Sequence, residues 1–171
     1  MNKFYFSIFF LSLTLNVTSQ NINWLSFEEA IALNKKTPKT ILIDIYTNWC
    51  GYCKKMDKDT YENRTIVNIL NEKYYAVKLN AEQKEILTYK GKEYKYIKNG
   101  RRGYHEFAAN LLRGKLSYPT TVFMNKDEQL IQQLPGYLDA KQLEPILHYF
   151  SNDQYLKYTW EEFQDIFVSA F

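Results

Sequence analysis

Cys50 and Cys53 are the chain's two cysteines, and they stand three residues apart in the run Trp49-Cys50-Gly51-Tyr52-Cys53. On a helix that spacing brings the two sulfurs together across one turn, so a disulfide can open and close without remodelling the backbone, as a reversible two-electron couple requires. The run follows a strand-like stretch and opens a helical one, which puts it at the carboxyl end of a strand, where open α/β sheets place their sites. Cys50 falls at the helix N-terminus, where unpaired N–H groups and the helix dipole favour a thiolate. It is the expected attacking thiol, and Cys53, buried beneath it, the resolving one. Lys54 and Lys55 add weakly to thiolate stability. Rival readings of the pair are weaker. A c-type haem needs histidine where Lys54 stands. Zinc would have to recruit His105 and His148, far from the pair and from each other. A purely structural disulfide closing so short a loop would constrain the unfolded chain little.

The surrounding pattern supplies the elements that must hold this pair. Ser26-Phe27-Glu28-Glu29 is a capping box opening a helix whose apolar stripe fades at Lys35 and Lys36. Thr40 to Thr47 is β-branched and almost continuously apolar, the pattern of a strand covered on both faces. A helix is predicted from Cys50 past Met56, another from Thr65 to Lys73, and a strand from Tyr74 to Leu79. Further strands are expected at Pro119 to Met124 and Gln129 to Leu134, joined by a hairpin connection, then a helix from Asp139 to Phe150. With a weak first strand at Ile22 to Leu25, the order predicts an α/β fold with a mixed central sheet flanked by helices.

Three segments stand apart. Residues 81–103 lie before the helix predicted at His105 to Arg113; Ile86 to Tyr89 and Tyr94 to Ile97 flank Gly91 like an exposed hairpin, and Asn99 to Gly103 reads as a loop. Residues 151–171 form a C-terminal helical extension, capped by Thr159-Trp160-Glu161-Glu162, with Trp160, Phe163, Ile166, Phe167 and Ala170 as its apolar face. Residues 1–19 read as a signal peptide, with Lys3, an apolar run from Phe4 to Val17 too short to span a bilayer, and cleavage expected after Ser19. Export would expose both thiols to an oxidising compartment.

Composition narrows the class. The chain is 46% hydrophobic and carries a formal charge of +3, enough apolar material for one domain and too little charge for a dedicated nucleic-acid surface. Two cysteines exclude a disulfide-dense scaffold and a four-thiolate zinc site.

The run Ile41-Leu42-Ile43-Asp44-Ile45-Tyr46-Thr47-Asn48-Trp49-Cys50-Gly51-Tyr52-Cys53-Lys54-Lys55-Met56, with Val77-Lys78-Leu79-Asn80, Tyr118-Pro119-Thr120-Thr121-Val122-Phe123 and Gly136, resembles the thioredoxin-fold family in ordered register. Asp57 to Tyr61 and the helix after them look closer to the periplasmic C-terminal domain of DsbD-type thiol:disulfide interchange reductases. The resemblance covers about residues 23–150 of a thioredoxin-like domain expected at 20–150, marks residues 81–103 as an insertion extra to the family pattern, and does not cover the terminal helix. It implies that Asp44 is the buried carboxylate behind the cysteines and Lys78 its neighbour. It also implies that Pro119 is a cis proline, leaving the backbone of Tyr118 free to pair with an extended substrate segment. The physics of Asp44 agrees: a carboxylate inside an apolar strand is costly to ionise, so its pKa should rise and let it take a proton from Cys53. Asp57, one turn past Cys53, faces the same region or is a plain surface acid. Trp49, Gly51, Tyr52, Tyr118 and Pro119 are the expected substrate-contacting residues. Gly51-Tyr52 departs from the family's common Gly-Pro, so the redox potential is not legible.

The expectation is therefore an exported monomeric thiol:disulfide oxidoreductase reducing protein disulfides. It would need no metal or cofactor, contact no nucleic acid, and be recharged by a membrane or soluble thiol donor. A disulfide oxidase or isomerase, or a binding module in which the insertion, Tyr118 and the terminal helix hold a partner, are the alternatives.

Overall fold

The computed structural model describes residues 21–171; the leader expected at 1–19 lies outside them. Helix α1 (Phe27–Asn34) is opened by Ser26, whose hydroxyl accepts from the Glu29 N–H while the Glu29 carboxylate accepts from the Ser26 N–H. It is followed by β1 (Thr40–Tyr46), α2 (Gly51–Asp59), α3 (Arg64–Lys73) and β2 (Tyr74–Asn80). The insertion carries β3 (Leu87–Tyr89), β4 (Lys92–Tyr94), β5 (Tyr96–Asn99) and β6 (Arg102–His105), and the chain closes with α4 (Glu106–Leu111), β7 (Thr120–Met124), β8 (Leu130–Pro135), α5 (Ala140–Ser151) and α6 (Trp160–Ile166).

One four-stranded sheet runs β2-β1-β7-β8, with β1 parallel to β2 and the other pairings antiparallel. The continuous apolar reading of β1 has its explanation here, because alternate side chains enter two separate cores. Ile41, Ile43 and Ile45 pack under α1, α4 and the insertion. Leu42 packs under α2, α3 and α5. Asp44 shares the Leu42 face, and in register it stands beside Lys78 of β2 and Thr121 of β7.

Several expectations need correction. The weak strand at Ile22 to Leu25 is reduced to a single bridge between Leu25 and Val77. The insertion is two hairpins rather than a hairpin and a loop, because the turn at Lys90-Gly91 is tight. Both residues have positive φ, 50° and 76°, so β3 pairs with β4 at once and Tyr96 and Ile97 are left for a second hairpin with β6. Residues 99–103 are the closed end of that hairpin. His105 stands outside the helix predicted to begin there: it is the N-cap of α4, its Nδ1 accepting from the Phe107 N–H at 3.3 Å. Nδ1 is therefore bare, and Nε2–H donates to the Glu85 carbonyl at 3.1 Å, tying the insertion to the core. The terminal helix is shorter than its apolar pattern. It stops at Ile166, which is exposed, and Phe167 is extended. Ala170 is off the helix face, with its N–H donating to buried Glu144 of α5 at 2.9 Å.

Candidate active site

Cys50 and Cys53 are joined in a disulfide with Cα atoms 5.3 Å apart. Cys50 is the N-cap of α2, and its Sγ accepts from the Cys53 N–H at 3.1 Å. That bond and the helix N-terminus favour negative charge on Cys50 once the disulfide is reduced. Both cysteines are covered in the oxidised state, Cys50 at 5% and Cys53 at 2% exposure. The surface above them is made by their neighbours: Trp49 is 50% and Tyr52 67% exposed, and at Gly51 nothing approaches the space a side chain would take.

Asp44 lies on the sheet face covered by α2, with 1% exposure. Its Oδ2 accepts from Lys78 Nζ at 2.9 Å, whereas Oδ1 has no protein partner. Burial pushes the carboxyl up, and Lys78 pulls it partly back, leaving it at about 6. Lys78 is shared: Asp57 takes a second bond from Nζ, and the Trp24, Tyr46 and Tyr61 rings surround it at 4.9, 5.2 and 5.2 Å. Burial opposes its charge, but Asp44 and Asp57 outweigh burial and hold the ammonium above its usual range. The Tyr61 hydroxyl is pushed well up by burial first and by Asp44 second, so it stays protonated. The aromatic ring of contacts holds the cation between two acids while limiting water's access to it.

The Tyr118–Pro119 bond is cis and Pro119 is buried. Gly136, at φ +102°, reaches back to donate its N–H to the Pro119 carbonyl at 2.8 Å. Among the described residues the N–H and C=O of Tyr118 make no backbone hydrogen bond. The Tyr118 ring meets Trp49 edge-on at 6.0 Å.

The structure thus gathers Asp44 and Asp57 on the Lys78 ammonium, and sets Tyr118, which precedes cis Pro119, against Trp49, the neighbour of Cys50. Lys55 is turned elsewhere, paired with Asp59 and bonded to the Tyr137 hydroxyl at 3.3 Å. His105 caps α4 and His148 stacks on Phe167, so neither histidine is beside the sulfurs. Sequence reasoning missed Glu82, which accepts from Trp49 Nε1 at 3.1 Å, and Arg102, whose guanidinium lies 4.2 Å over the Trp49 ring. It also missed Trp24 and Tyr61 around Lys78; their only signal was aromatic richness, which does not say where a ring packs.

A family model described as thioredoxin-like domain matches residues 27–151, and the chain belongs to that family. Over 45 residues, 26% of the chain, it is 33% identical to the thiol:disulfide interchange protein DsbD of Pseudoalteromonas atlantica, where the match takes up 8% of the length. The chain's matches span at most 9% of the length of the curated relatives. A thioredoxin-fold protein from Helicobacter pylori is similar in structure with a TM-score of 0.57, at 20% identity, covering 75% of this chain and 79% of that one. A putative disulphide-isomerase from Bacteroides thetaiotaomicron gives 0.54 at 22% identity, covering 77% and 94%. These two likenesses show the fold. Family membership and the Cys50–Cys53 disulfide together describe a thioredoxin-like domain with a Cys-x-x-Cys disulfide at the start of a helix, an arrangement chemically suited to thiol–disulfide exchange.

Proposed function

We propose that the protein is an exported, monomeric reductase of protein disulfides. The observation that carries this reading is the Cys50–Cys53 disulfide at the N-terminus of α2, the helix that covers the sheet face where the unevenly bonded Asp44 carboxyl is buried. In the reduced protein the Cys50 thiolate attacks one sulfur of a substrate disulfide, and the other leaves as a thiolate that takes up a proton. Cys53 then gives its proton to Asp44 and attacks Cys50 Sγ; the second substrate sulfur leaves and is protonated, and the Cys50–Cys53 disulfide is restored. Two electrons have passed to the substrate, and a thiol donor returns them by the reverse exchange. Tyr118, with its backbone groups unpaired, offers one strand-like pairing for an extended substrate segment. Trp49, Gly51 and Tyr52 make the exposed surface on which that segment lies. The apolar run in residues 1–19 supports export, and the dithiol itself supports a periplasmic or secreted setting with a membrane or soluble thiol donor.

The test is insulin reduction by the mature chain with a dithiol donor, beside the Cys50→Ser variant. Activity lost with Cys50 supports the reading, and activity equal in the two proteins refutes it. Equilibration of the couple with glutathione decides direction: a potential well above about −200 mV would mark an oxidant instead.

A further inference from the structure

The second hairpin of the insertion ends against the active site. In its antiparallel register Asn99 pairs with Arg102 and Ile97 with Tyr104, so these four side chains share one face. Asn99, Arg102 and Tyr104 meet Trp49, Glu82 and Tyr118 around a groove of about 260 Å³. The groove therefore joins the insertion to Trp49, which precedes the attacking cysteine, and to Tyr118, whose backbone is unpaired.

Arg102 is exposed and stacks its guanidinium over the Trp49 ring, 4.2 Å from the ring centre. Stacking uses the planar face and leaves the in-plane N–H donors free. Among the described residues those donors meet no carboxylate within ion-pair distance and make no hydrogen bond. The groove's own acid, Glu82, already accepts from Trp49 Nε1. The field around Arg102 has the same sign: residues 83–104 hold seven Lys or Arg and two Glu. Lys98, Arg101 and Arg102 are exposed at the tip of this hairpin. A preorganised guanidinium with free donors, in a basic surround beside a peptide-binding edge, is complementary to a carboxylate on the incoming segment.

Resting on the reductase reading above, we propose that Arg102 is a specificity residue. It selects extended protein segments that carry an Asp or Glu side chain close to the cysteine attacked by Cys50. The insertion is then the wall that narrows the partners of an otherwise permissive dithiol.

The test uses three synthetic disulfide-linked peptides that differ only at the residues flanking one cysteine, with Glu, Gln or Lys there. The reduced full-length mature protein is assayed for kcat/KM on each. An exposed ion pair favours the Glu peptide over the Gln peptide by about fivefold, with the Lys peptide lower still, and 0.5 M NaCl collapses the order. Arg102→Glu reverses the order so that the Lys peptide becomes the better substrate, a swap that loss of packing on Trp49 cannot produce. A second arm measures anisotropy of Cys→Ser versions of the peptides on the Cys50→Ser, Cys53→Ser protein, reading charge preference without any redox step. Equal kcat/KM for all three peptides with reduction intact overturns the Arg102 proposal and leaves the reductase reading standing. No reduction of any peptide overturns the reductase reading, and the anisotropy arm then decides Arg102 alone: equal binding of the Glu and Lys peptides refutes it.

Discussion

Asp44→Asn is expected to make the oxidised protein more stable at neutral pH while making it a poorer reductase. The carboxyl titrates near 3.8 in an unfolded chain and at about 6 in the folded one, a rise of roughly two units. At about 1.36 kcal/mol per unit this amounts to about 3 kcal/mol. Below pH 3.8 the carboxyl is neutral in both states and costs nothing. As the pH climbs from there towards 6, the unfolded chain ionises while the folded one still holds its proton, so wild-type stability falls. Above about 6 the full penalty is in place. Asparagine has the shape of the protonated acid and no charge to bury, so the variant escapes this loss.

Urea unfolding of oxidised wild type and variant at pH 4 and pH 7.5 reads the effect directly. At pH 4 the unfolded carboxyl is already about half ionised, so the difference between the two proteins should grow in the variant's favour by about 2 kcal/mol between the two pH values. Comparing the proteins at each pH removes the titration of every other group, and comparing the two pH values removes any repacking around the new amide. A difference that does not change with pH would refute the argument. So would a variant that is less stable than wild type at pH 7.5 by more than at pH 4, since the Lys78 pair would then outweigh burial. The same substitution deprives Cys53 of its proton acceptor, and resolution of a trapped mixed disulfide at pH 7 should slow about a hundredfold.

Two further outcomes follow from the neighbours. Lys78 is the main influence lowering the Asp44 pKa, so Lys78→Met should raise it above about 6 and move the pH midpoint of mixed-disulfide resolution upward by a comparable interval, measured by stopped-flow fluorescence. At Gly103 an added Cβ would collide with the Ile97 carbonyl and the Tyr96 hydroxyl. Gly103→Ala should therefore cost about 2 kcal/mol in thermal or urea unfolding and speed proteolysis between Tyr96 and His105, with an unchanged cleavage rate counting against the packing described.

Much of the site was legible because its parts are local in sequence or fixed by strand pairing. A capping cysteine, its partner one turn on, and an acid alternating within an apolar strand are each set by a few adjacent residues. The insertion was not legible for the opposite reason. Its turn at Lys90-Gly91 lacks the Asn-Gly signal, so the residue types do not mark where β4 begins, and a boundary displaced by two residues makes the second hairpin read as a loop. Trp160, Phe163 and Ile166 lie on the helix as their stripe implies, yet the stripe outlasts the helix at Phe167 and Ala170, where buried Glu144 accepts from the Ser169 hydroxyl and the Ala170 N–H. Long-range polar anchors of this kind leave no periodic trace.

The sheet separates two tasks physically. Asp44, Lys78 and Tyr61 lie with Leu42 and Phe123 on the face covered by α2, α3 and α5, where burial sets the proton affinity of one carboxyl. The insertion packs with Ile43 and Phe107 on the other face and reaches the site at the groove shared with Trp49 and Tyr118. A charge placed at the tip of β5 and β6 is in water, where its influence on a buried group across the sheet is screened within about 8 Å at physiological salt. Changes at Arg102 should therefore alter which disulfides are reduced while leaving the pH midpoint of Cys53 resolution where Asp44 puts it. Changes at Lys78 should do the reverse. If Arg102→Glu moved that midpoint as far as Lys78→Met does, the two faces would be electrostatically coupled and this division of labour would be wrong.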